Sequence, residues 1–498
     1  MSHEASGSVR PDDGVPFGVQ LHRRAVADPD GVALVTVAPD GTESSTTWSE
    51  LDRGANRWGR QLSDAGVVWG SHVALAIPNS LDLVLGVLGC WKVGAVPIPM
   101  RWDIPDWERS RLLDVIDAAL VVDEGNRGAL AAAARDQPDD CLPEAVSPVA
   151  YGICSSGSTG LPKVILHLQP GIWTPQHSEP FMRQWAAVSQ PQVILVPAPM
   201  YHTNGFVTLN FLLGGDRLIL LEKFSGETVL DCIERHGVTT FTATPTMLKR
   251  IAGVADVTRR DLSTVEWILQ GAAAMPQALL HTWFELLSPE QIVMAYGMTE
   301  GLGLTALRGD EWLRHPGSVG RGFRDTEIRI LDHHGEPVPT GELGEIHLRS
   351  PMNAAYRYIG GAAPLPSTED GFHSAGDIGH LDADGYLYIA DRRSDMIITG
   401  GANVFPAEVE SALSDHDEIA DVVVLGLTDP EWGRRVHAVV QPVNPSAPPS
   451  PEHVIQHAKN RLAAYKVPKT VEFVDEIPRT AATKLNRTAM TQAREGLS

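Results

Sequence analysis

The segment at residues 155–163, which reads SSGSTGLPK, has the composition of a loop that holds a phosphate group. Two glycines let the backbone turn its N–H groups toward an anion, hydroxyl groups can donate hydrogen bonds, and Lys163 adds a positive charge. The small residues of this segment are Ser155, Ser156, Gly157, Ser158, Thr159 and Gly160. It is not a Walker A loop, because no Ser or Thr follows the lysine at the required spacing. By itself, this composition also suits a flexible turn without a ligand.

Five later residues carry side chains that suit nucleotide chemistry. Thr299 and Glu300 follow the strand-like run QIVMA, and a hydroxyl next to a carboxylate there suits a phosphate contact and a magnesium ligand. Asp377 and Arg392 lie within residues 373–410, and Lys484 stands near the end of the chain in PRTAATKLNR. Taken singly, each of them is more often a solvated residue than a catalytic one.

The acidic composition limits the classes of partner. The 498 residues carry a formal charge of -22 and contain no long basic run, which argues against nucleic-acid binding. The four cysteines lack the spacing of a zinc site or a disulfide framework, so reduced thiols in a cytoplasmic protein are expected. The polar N-terminal residues do not predict a signal peptide. The longest apolar stretch is interrupted by Asp82 and Lys92, so no membrane span is expected.

The elements that must position these residues change in character along the chain. The first half alternates strand-like and helix-like segments, which predicts an α/β fold with parallel sheets covered by helices. Within it, residues 46–66 have the apolar spacing of an amphipathic helix, and residues 72–78 form a short buried strand. From about residue 316 onward, short strands between Gly and Asp turns predict a β-rich subdomain. The last hundred residues or so predict a small α+β C-terminal domain.

In this order and at these separations, the blocks SSGSTGLPK, YGMTE, residues 373–410 and PRTAATKLNR resemble the adenylate-forming superfamily. This superfamily includes acyl-CoA synthetases, aryl-CoA ligases, adenylation domains that load carrier proteins, and luciferases. The resemblance covers nearly the whole chain. It implies a large AMP-binding and acyl-binding domain at residues 1–391, a hinge at 392–394 and a mobile C-terminal domain at 395–498.

The resemblance also implies a two-step reaction that uses ATP, Mg²⁺ and coenzyme A. A carboxylate attacks the α-phosphorus of ATP, pyrophosphate leaves, and a thiol then displaces AMP from the acyl-adenylate. Residues 155–163 would hold the β- and γ-phosphates, Thr299 the α-phosphate and Glu300 the Mg²⁺. Lys484 would reach from the C-terminal domain to the acyl carboxylate and the α-phosphate. The other implied nucleotide contacts are Gly271, Ala272 and Ala273 beside the nucleotide, Tyr296 and Gly297 near the adenine, Asp377 on the ribose and Arg392 beside Asp377.

After adenylation, the C-terminal domain is expected to rotate about Ser394, which removes Lys484 from the site. The rotation would bring Gly400 and Gly401 to the site, where glycines let a pantetheine arm pass close to the backbone. Three positions depart from the family pattern: Ser394 replaces the usual Asp or Lys, Thr483 a common Gly, and Val164 a common Gly. None of these changes removes a reacting group.

The acyl pocket is expected in the segments PMYHTNGF, GAAA and AYGMTEGLG. The substrate-binding residues would be His202, Phe206, Met298, Gly301 and Gly303, with the small Ala272 nearby. This set leaves room for a flat aromatic or bulky alicyclic acid, and the first hypothesis is an acid–CoA ligase for an aryl, cinnamate-like, fatty or steroid-type acid. Two interpretations of His202 stay open. It is either a core histidine whose hydrogen bonds are satisfied or a residue that contacts the substrate or the thiol tunnel. No acidic residue stands where it would grip an α-amino group, which disfavours an amino acid.

Two alternatives to an acid–CoA ligase stay open. The acceptor could be a separate carrier protein, an amine or a small inorganic nucleophile, although the lack of a fused carrier domain favours free CoA. The protein could instead be a non-catalytic nucleotide sensor, but a mere binder has no use for Lys484. A homodimer is suggested by analogy with relatives alone.

Overall fold

The computed structural model describes residues 14–156, 162–351, 355–361, 363–392, 395–399, 402–478 and 485–495. Up to residue 135, helices and strands alternate as the sequence pattern predicts. Their bounds are β1 Val15–Pro16, α1 Phe17–Ala27, β2 Val32–Val37, β3 Glu43–Thr47, α2 Trp48–Asp64, β4 His72–Ala76, α3 Leu81–Lys92, β5 Val96–Pro99, α4 Asp106–Ile116, β6 Leu120–Asp123 and α5 Arg127–Arg135. Among the described residues, no helix has both the length and the apolar composition that crossing a membrane requires.

The middle of the chain continues this alternation after a hairpin. Its bounds are β7 Tyr151–Ser156, β8 Pro162–His167, β9 Ile172–Trp173, β10 Val193–Val196, α6 Thr203–Phe206, α7 Thr208–Gly214, β11 Arg217–Leu221, α8 Gly226–His236, β12 Thr240–Ala243, α9 Pro245–Ala252, β13 Trp267–Gln270, α10 Gln277–Leu286, β14 Ile292–Gly297, β15 Leu304–Arg308, α11 Gly309–Trp312 and β16 Arg321–Phe323. Short 3-10 helices lie at Pro175–Ser178, Phe181–Gln184, Val257–Arg259 and Pro289–Gln291.

The largest sheet runs in the order β16-β15-β14-β13-β12-β10-β11-β2-β3. Its inner strands, from β14 to β2, are parallel, whereas β3, β15 and β16 are antiparallel at the two edges. Side chains alternate between two hydrophobic cores: on β11, Leu218 and Leu220 enter the core with α1–α3, and Ile219 enters the core with α8–α10. Burial on both faces explains why these strands are almost entirely apolar.

Smaller sheets complete the molecule, and the remaining elements are β17 Glu327–Leu331, β18 Gly344–Arg349, β19 Tyr356–Ile359, β20 His373–Leu381, β21 Leu387–Arg392, β22 Ile397–Thr399, β23 Ala402–Val404, α12 Pro406–Ser414, β24 Ile419–Asp429, β25 Gly433–Pro442, α13 Pro451–Lys459, β26 Thr470–Phe473 and α14 Arg487–Glu495. The other sheets have the orders β1-β9, β5-β4-β6, β19-β8-β7, β17-β18-β20-β21, β22-β23 and β24-β25-β26. Of these, β17-β18-β20-β21 is wholly antiparallel.

This architecture confirms the predicted fold class. The large α/β part, the β-rich part near residues 327–392 and the small α+β part after β21 occur in the predicted order. The amphipathic helix predicted at 46–66 is α2, which is preceded by a capping box between Thr47 and Glu50. The domain boundaries at residues 391 and 395 stay a prediction.

One residue that interrupts the apolar stretch has a structural role. Lys92, in the last turn of α3, is buried, and its Nζ lies 2.5 Å from Asp52 Oδ1 on α2. The other oxygen of Asp52 lies 2.8 Å from His22 Nδ1 on α1. Three helices are therefore joined by one buried carboxylate, whose charge must stay paired because it is removed from water.

We predict that Lys92→Met destabilises the protein by about 3 kcal/mol, because Asp52 then stays buried without its main counter-charge. The double variant Lys92→Met with Asp52→Leu should recover much of this loss, since it removes both charges. Urea unfolding followed by tryptophan fluorescence measures both effects. Equal stability of the single variant and the parent protein would contradict this account of the pair.

Candidate active site

The predicted phosphate loop lies at the tip of the hairpin that β7 and β8 form. The antiparallel ladder pairs Ser155 with Lys163 and Ser156 with Pro162, so the loop leaves and returns at one point. Gly157, Ser158, Thr159 and Gly160 lie outside the described residues. Apolar residues such as Ile153 and Ile165 are almost fully buried below the tip. The hairpin thus fixes the point at which Lys163 returns from the loop.

Lys163 and Glu300, which the sequence predicted separately, meet in the structure. The Lys163 Nζ lies 3.5 Å from Glu300 Oε1, and Glu300 is only 9% exposed. Tyr358, which the sequence analysis missed, is the third member of this cluster. Its hydroxyl donates a hydrogen bond to Glu300 Oε1 at 2.6 Å. Lys163 also stands over the Tyr358 ring, 3.9 Å from its centroid. Burial and the neighbouring Glu300 carboxylate raise the pKa of the Tyr358 hydroxyl well above its ordinary value.

The oxygen atoms available at Glu300 suit a magnesium ion. One carboxylate oxygen accepts the Tyr358 hydrogen bond, and the other makes no hydrogen bond with the described part of the chain. Mg²⁺ prefers oxygen ligands and is usually bound by one or two carboxylates together with phosphates and water. Glu300 and a phosphate group held by the nearby loop would supply such ligands.

A neutral histidine lies on the same small sheet. His167 ends β8, its ring centroid lies 4.5 Å from that of Tyr151 on β7, and it is 7% exposed. Its Nε2 is buried without a hydrogen-bond partner among the described residues. Burial lowers the pKa of His167 to about 4, and the Glu300 charge opposes this shift only in part. His167 is therefore uncharged at neutral pH.

The predicted nucleoside residues are brought together at the end of β14. The Tyr296 hydroxyl donates a hydrogen bond to Asp377 Oδ2 at 2.5 Å. In the ladder between β20 and β21, the backbone of Asp377 pairs with that of Arg392. Tyr296 and Gly297 belong to β14 itself, so the strand extends two residues further than the run QIVMA.

Thr299 and Glu300 lie in a turn that needs glycine. The Thr203 hydroxyl donates to the Thr299 hydroxyl at 3.2 Å, which links the turn to the start of α6. Gly301 and Gly303 have φ angles of 70° and 150°. A Cβ on Gly303 would lie 2.7 Å from Thr326 Cγ2, so a larger residue would displace the turn. The structure shows this packing contact of Gly303, and its place in the acyl pocket stays a prediction.

The GAAA segment follows β13 and is held by a residue that the sequence analysis did not name. The Gln270 side chain is buried, and its Nε2 donates to the carbonyls of Ala273 at 2.7 Å and of Gly271 at 3.3 Å. Ala272 has a φ of 72° and is exposed, like Ala273. A polar residue at the end of an otherwise apolar strand was the available signal for Gln270.

The predicted acyl-pocket side chains occupy different environments. His202 is half-buried with its ring beside Tyr201, and Met298 is also half-buried. Phe206 is 1% exposed and packs against Trp91 and Tyr151 in the first core. Since Tyr151 also contacts His167, the Phe206, Tyr151 and His167 rings form a continuous row of tilted contacts, and the His167 end lies within electrostatic range of Glu300.

Several predicted positions lie outside the described residues. Besides the loop glycines and hydroxyl residues named above, they are Ser394, Gly400, Gly401 and Lys484. The side chains of Ser155, Ser156 and Arg392 are likewise left without a description, although their backbones belong to β7 and β21.

The fold is that of an α/β protein in which the residues predicted for a nucleotide site cluster at the ends of strands. The AMP-binding enzyme family matches residues 21–358, and the AMP-binding enzyme C-terminal domain matches residues 408–484. The chain belongs to the AMP-binding enzymes, which confirms the resemblance to the adenylate-forming superfamily. It is an ATP-dependent, AMP-forming ligase of the acyl-CoA synthetase type.

Several known proteins align with this chain over nearly the whole length of both sequences. A feruloyl-CoA synthase of an Amycolatopsis species is 34% identical over 483 residues, which are 93% of this chain and 96% of the relative. A long-chain-fatty-acid–CoA ligase of Mycobacterium tuberculosis is 29% identical, and the alignment covers 95% of this chain and 97% of the relative. The solved o-succinylbenzoate CoA synthetase of Bacillus subtilis, in complex with its acyl-adenylate intermediate, has a TM-score of 0.83 at 27% identity. That match covers 96% of this chain and 98% of the solved chain.

We predict that His167 makes the protein less stable in acid. The folded protein takes up a proton on His167 only near pH 4, whereas the unfolded chain does so near pH 6.5. Between these values the unfolded state binds more protons, so stability falls as the pH is lowered through this range, by at most about 3 kcal/mol. Urea unfolding between about pH 7 and pH 4.5 should show a weaker pH dependence in His167→Phe. The same dependence in both proteins would contradict the prediction.

Proposed function

We propose that the protein adenylates an aromatic carboxylic acid with ATP and then transfers the acyl group to coenzyme A. The observation that carries the proposal is the meeting of Lys163 and Glu300 below the tip of the phosphate hairpin. It joins a cation for phosphates and a carboxylate for Mg²⁺ at one place. ATP, Mg²⁺ and coenzyme A are the cofactors of this ligase class, and the Bacillus subtilis o-succinylbenzoate CoA synthetase has also been solved in complex with ATP and a magnesium ion.

In the adenylation step, two anions must approach each other. The loop at residues 155–163 holds the β- and γ-phosphates through backbone N–H groups and through Lys163, which lowers the repulsion that the acid meets. Thr299 contacts the α-phosphate, since its hydroxyl stands in the turn next to Glu300. Glu300 would hold Mg²⁺, which would supply positive charge against the phosphates. The protein mainly positions the groups and stabilises charge, because little covalent chemistry falls to its side chains.

Nucleoside recognition falls to the residues at the end of β14. Asp377 accepts hydrogen bonds from the ribose hydroxyls, with Arg392 across the ladder, and Tyr296 lies near the adenine. The hydrogen bond from Tyr296 orients the Asp377 carboxylate before the nucleotide arrives. The backbone of the GAAA turn, which Gln270 fixes, flanks the nucleotide and the acyl carbonyl.

The C-terminal domain supplies a charge for one step alone. Lys484 reaches the acyl carboxylate and the α-phosphate during adenylation. Rotation about Ser394 then replaces it with the glycines at 400 and 401, along which the pantetheine arm enters. A lysine on a mobile domain suits this alternation, because only the first step brings an anionic acid to an anionic phosphate.

An aromatic acid is the substrate class that the site favours. The half-buried His202 ring, which is expected in the acyl pocket, can contact a flat acid, and the exposed Ala272 and Ala273 of the GAAA turn carry small side chains. Aromatic rings bind best against other rings with offset or edge contacts. The feruloyl and o-succinylbenzoate enzymes act on aromatic acids by their names, whereas the mycobacterial relative is named for a long-chain fatty acid.

One assay separates the open functions. Pyrophosphate release is measured over a panel of aromatic, fatty and amino acids, each with and without coenzyme A. We expect release with aromatic acids and a CoA thioester when coenzyme A is present. Release without a thioester would favour a carrier protein or an amine as the acceptor, and no release with any acid would contradict the enzyme function.

A cytoplasmic location and a homodimer also stay predictions. Cell fractionation would test the location, and sedimentation would test the oligomeric state.

We predict that Lys484→Ala abolishes adenylation but spares thioester formation from a preformed acyl-adenylate. The reason is that the lysine charge is needed only while the anionic acid approaches the α-phosphate. Acid-dependent pyrophosphate release measures the first step, and CoA consumption with a synthetic adenylate measures the second. Lys459→Ala, an exposed lysine on α13 of the same domain, is the matched control and should leave both steps unchanged. Equal loss of both steps in Lys484→Ala would refute this role.

A further inference from the structure

We propose that Tyr358 is a positioning residue that holds Glu300 ready for Mg²⁺ and keeps Lys163 directed at the phosphates. This inference rests on the proposed function, because it concerns the same nucleotide site. Its evidence is separate, however, and comes from a strand that the sequence motifs did not include.

Two contacts place Tyr358 between the two charged groups. Its hydroxyl donates to Glu300 Oε1 at 2.6 Å, a length typical of a strong hydrogen bond to a charged acceptor. Its ring lies below Lys163, with 3.9 Å between Nζ and the ring centroid. Lys163 and Glu300 themselves are 3.5 Å apart, which is longer than a good charge-assisted hydrogen bond. Tyr358 therefore makes the closer contact with the carboxylate.

The strand pairing fixes the Tyr358 ring in this place. β19 runs antiparallel to β8, with Tyr358 opposite Ile165 and Ile359 opposite Val164. Lys163 and Ile165 lie on the same face of β8, so the Tyr358 ring reaches Lys163 diagonally across the ladder. The Tyr356 ring makes an edge contact with Tyr358, with 5.1 Å between the two centroids. Tyr356 is itself held by the backbone N–H of Leu365, which donates to its hydroxyl at 3.0 Å.

The contact with Tyr358 limits the competition between Glu300 and the phosphates for Lys163. A nearly buried carboxylate needs hydrogen bonds or a cation, and within the described chain Lys163 is the cation that reaches Glu300. Without the Tyr358 hydroxyl, Lys163 would close on Glu300 and would be withdrawn from the loop that it serves. With the hydroxyl in place, one carboxylate oxygen is satisfied by a neutral group and the other can bind a divalent cation.

The test compares nucleotide binding with and without Mg²⁺, which needs no turnover. The dissociation constant for α,β-methylene-ATP is measured by calorimetry in excess Mg²⁺ and again in EDTA. In Tyr358→Phe, which keeps the ring below Lys163, we expect the tightening caused by Mg²⁺ to fall about tenfold relative to the parent protein. Tyr358→Leu, which also removes the ring, should weaken binding in EDTA as well, because Lys163 loses its support.

A matched control removes the same kind of bond elsewhere. The Tyr388 hydroxyl donates to Asp382 Oδ2 at 3.1 Å in the β-rich part, so Tyr388→Phe should leave the effect of Mg²⁺ unchanged. The Mg²⁺ concentration for half-maximal pyrophosphate release should rise about tenfold in Tyr358→Phe alone.

The outcomes distinguish this proposal from the function on which it rests. If Tyr358→Phe keeps the full Mg²⁺ effect, or weakens binding equally in Mg²⁺ and in EDTA, the positioning role is overturned. The conservative Phe variant decides the matter even if the Leu variant does not fold. A parent protein that binds nucleotide in a Mg²⁺-dependent way but releases no pyrophosphate with any acid would contradict the proposed function alone.

Discussion

The hydrogen bond from Tyr358 to Glu300, with Lys163 above the same ring, is the contact on which the site depends. A chain with a formal charge of -22 must gather a polyanionic nucleotide and an anionic acid at one place. Its overall field opposes this, so attraction has to come from short-range groups. Keeping one lysine near one carboxylate without a tight ion pair leaves both of them available to a ligand and its metal ion.

The rest of the fold supports this contact through strand ends. The β7–β8 hairpin returns Lys163 at its tip, β19 adds Tyr358 to the same small sheet, and β14 ends just before Glu300. Ligands of α/β proteins characteristically bind where strands end, because side chains from distant parts of the sequence converge there. The turn after β14 needs Gly303, since a side chain there would meet Thr326 and move Glu300.

The sequence predicted the parts of this site that are encoded locally. Hydroxyl and glycine spacing around Lys163 indicates a phosphate loop, and a strand followed by Thr299 and Glu300 indicates a second cluster. Tyr358 could not be found this way, because its importance arises from the pairing of β19 with β8, far apart in the chain. Lys92 likewise stands out in the sequence only as a break in an apolar stretch, because its role depends on a distant partner. Its partner, Asp52, lies 40 residues away, beyond any local window of hydropathy.

The uncharged state of His167 fits the same logic. A protonated imidazole here would be a second cation within electrostatic range of Glu300, and it would compete with a metal ion for that carboxylate. Burial beside Tyr151 prevents this by lowering the pKa of His167 to about 4. Among the described residues, the uncharged His167 leaves Lys163 as the cation in contact with Glu300. Electrostatic interactions of a carboxylate as buried as Glu300 gain strength, because little water reaches it to screen them.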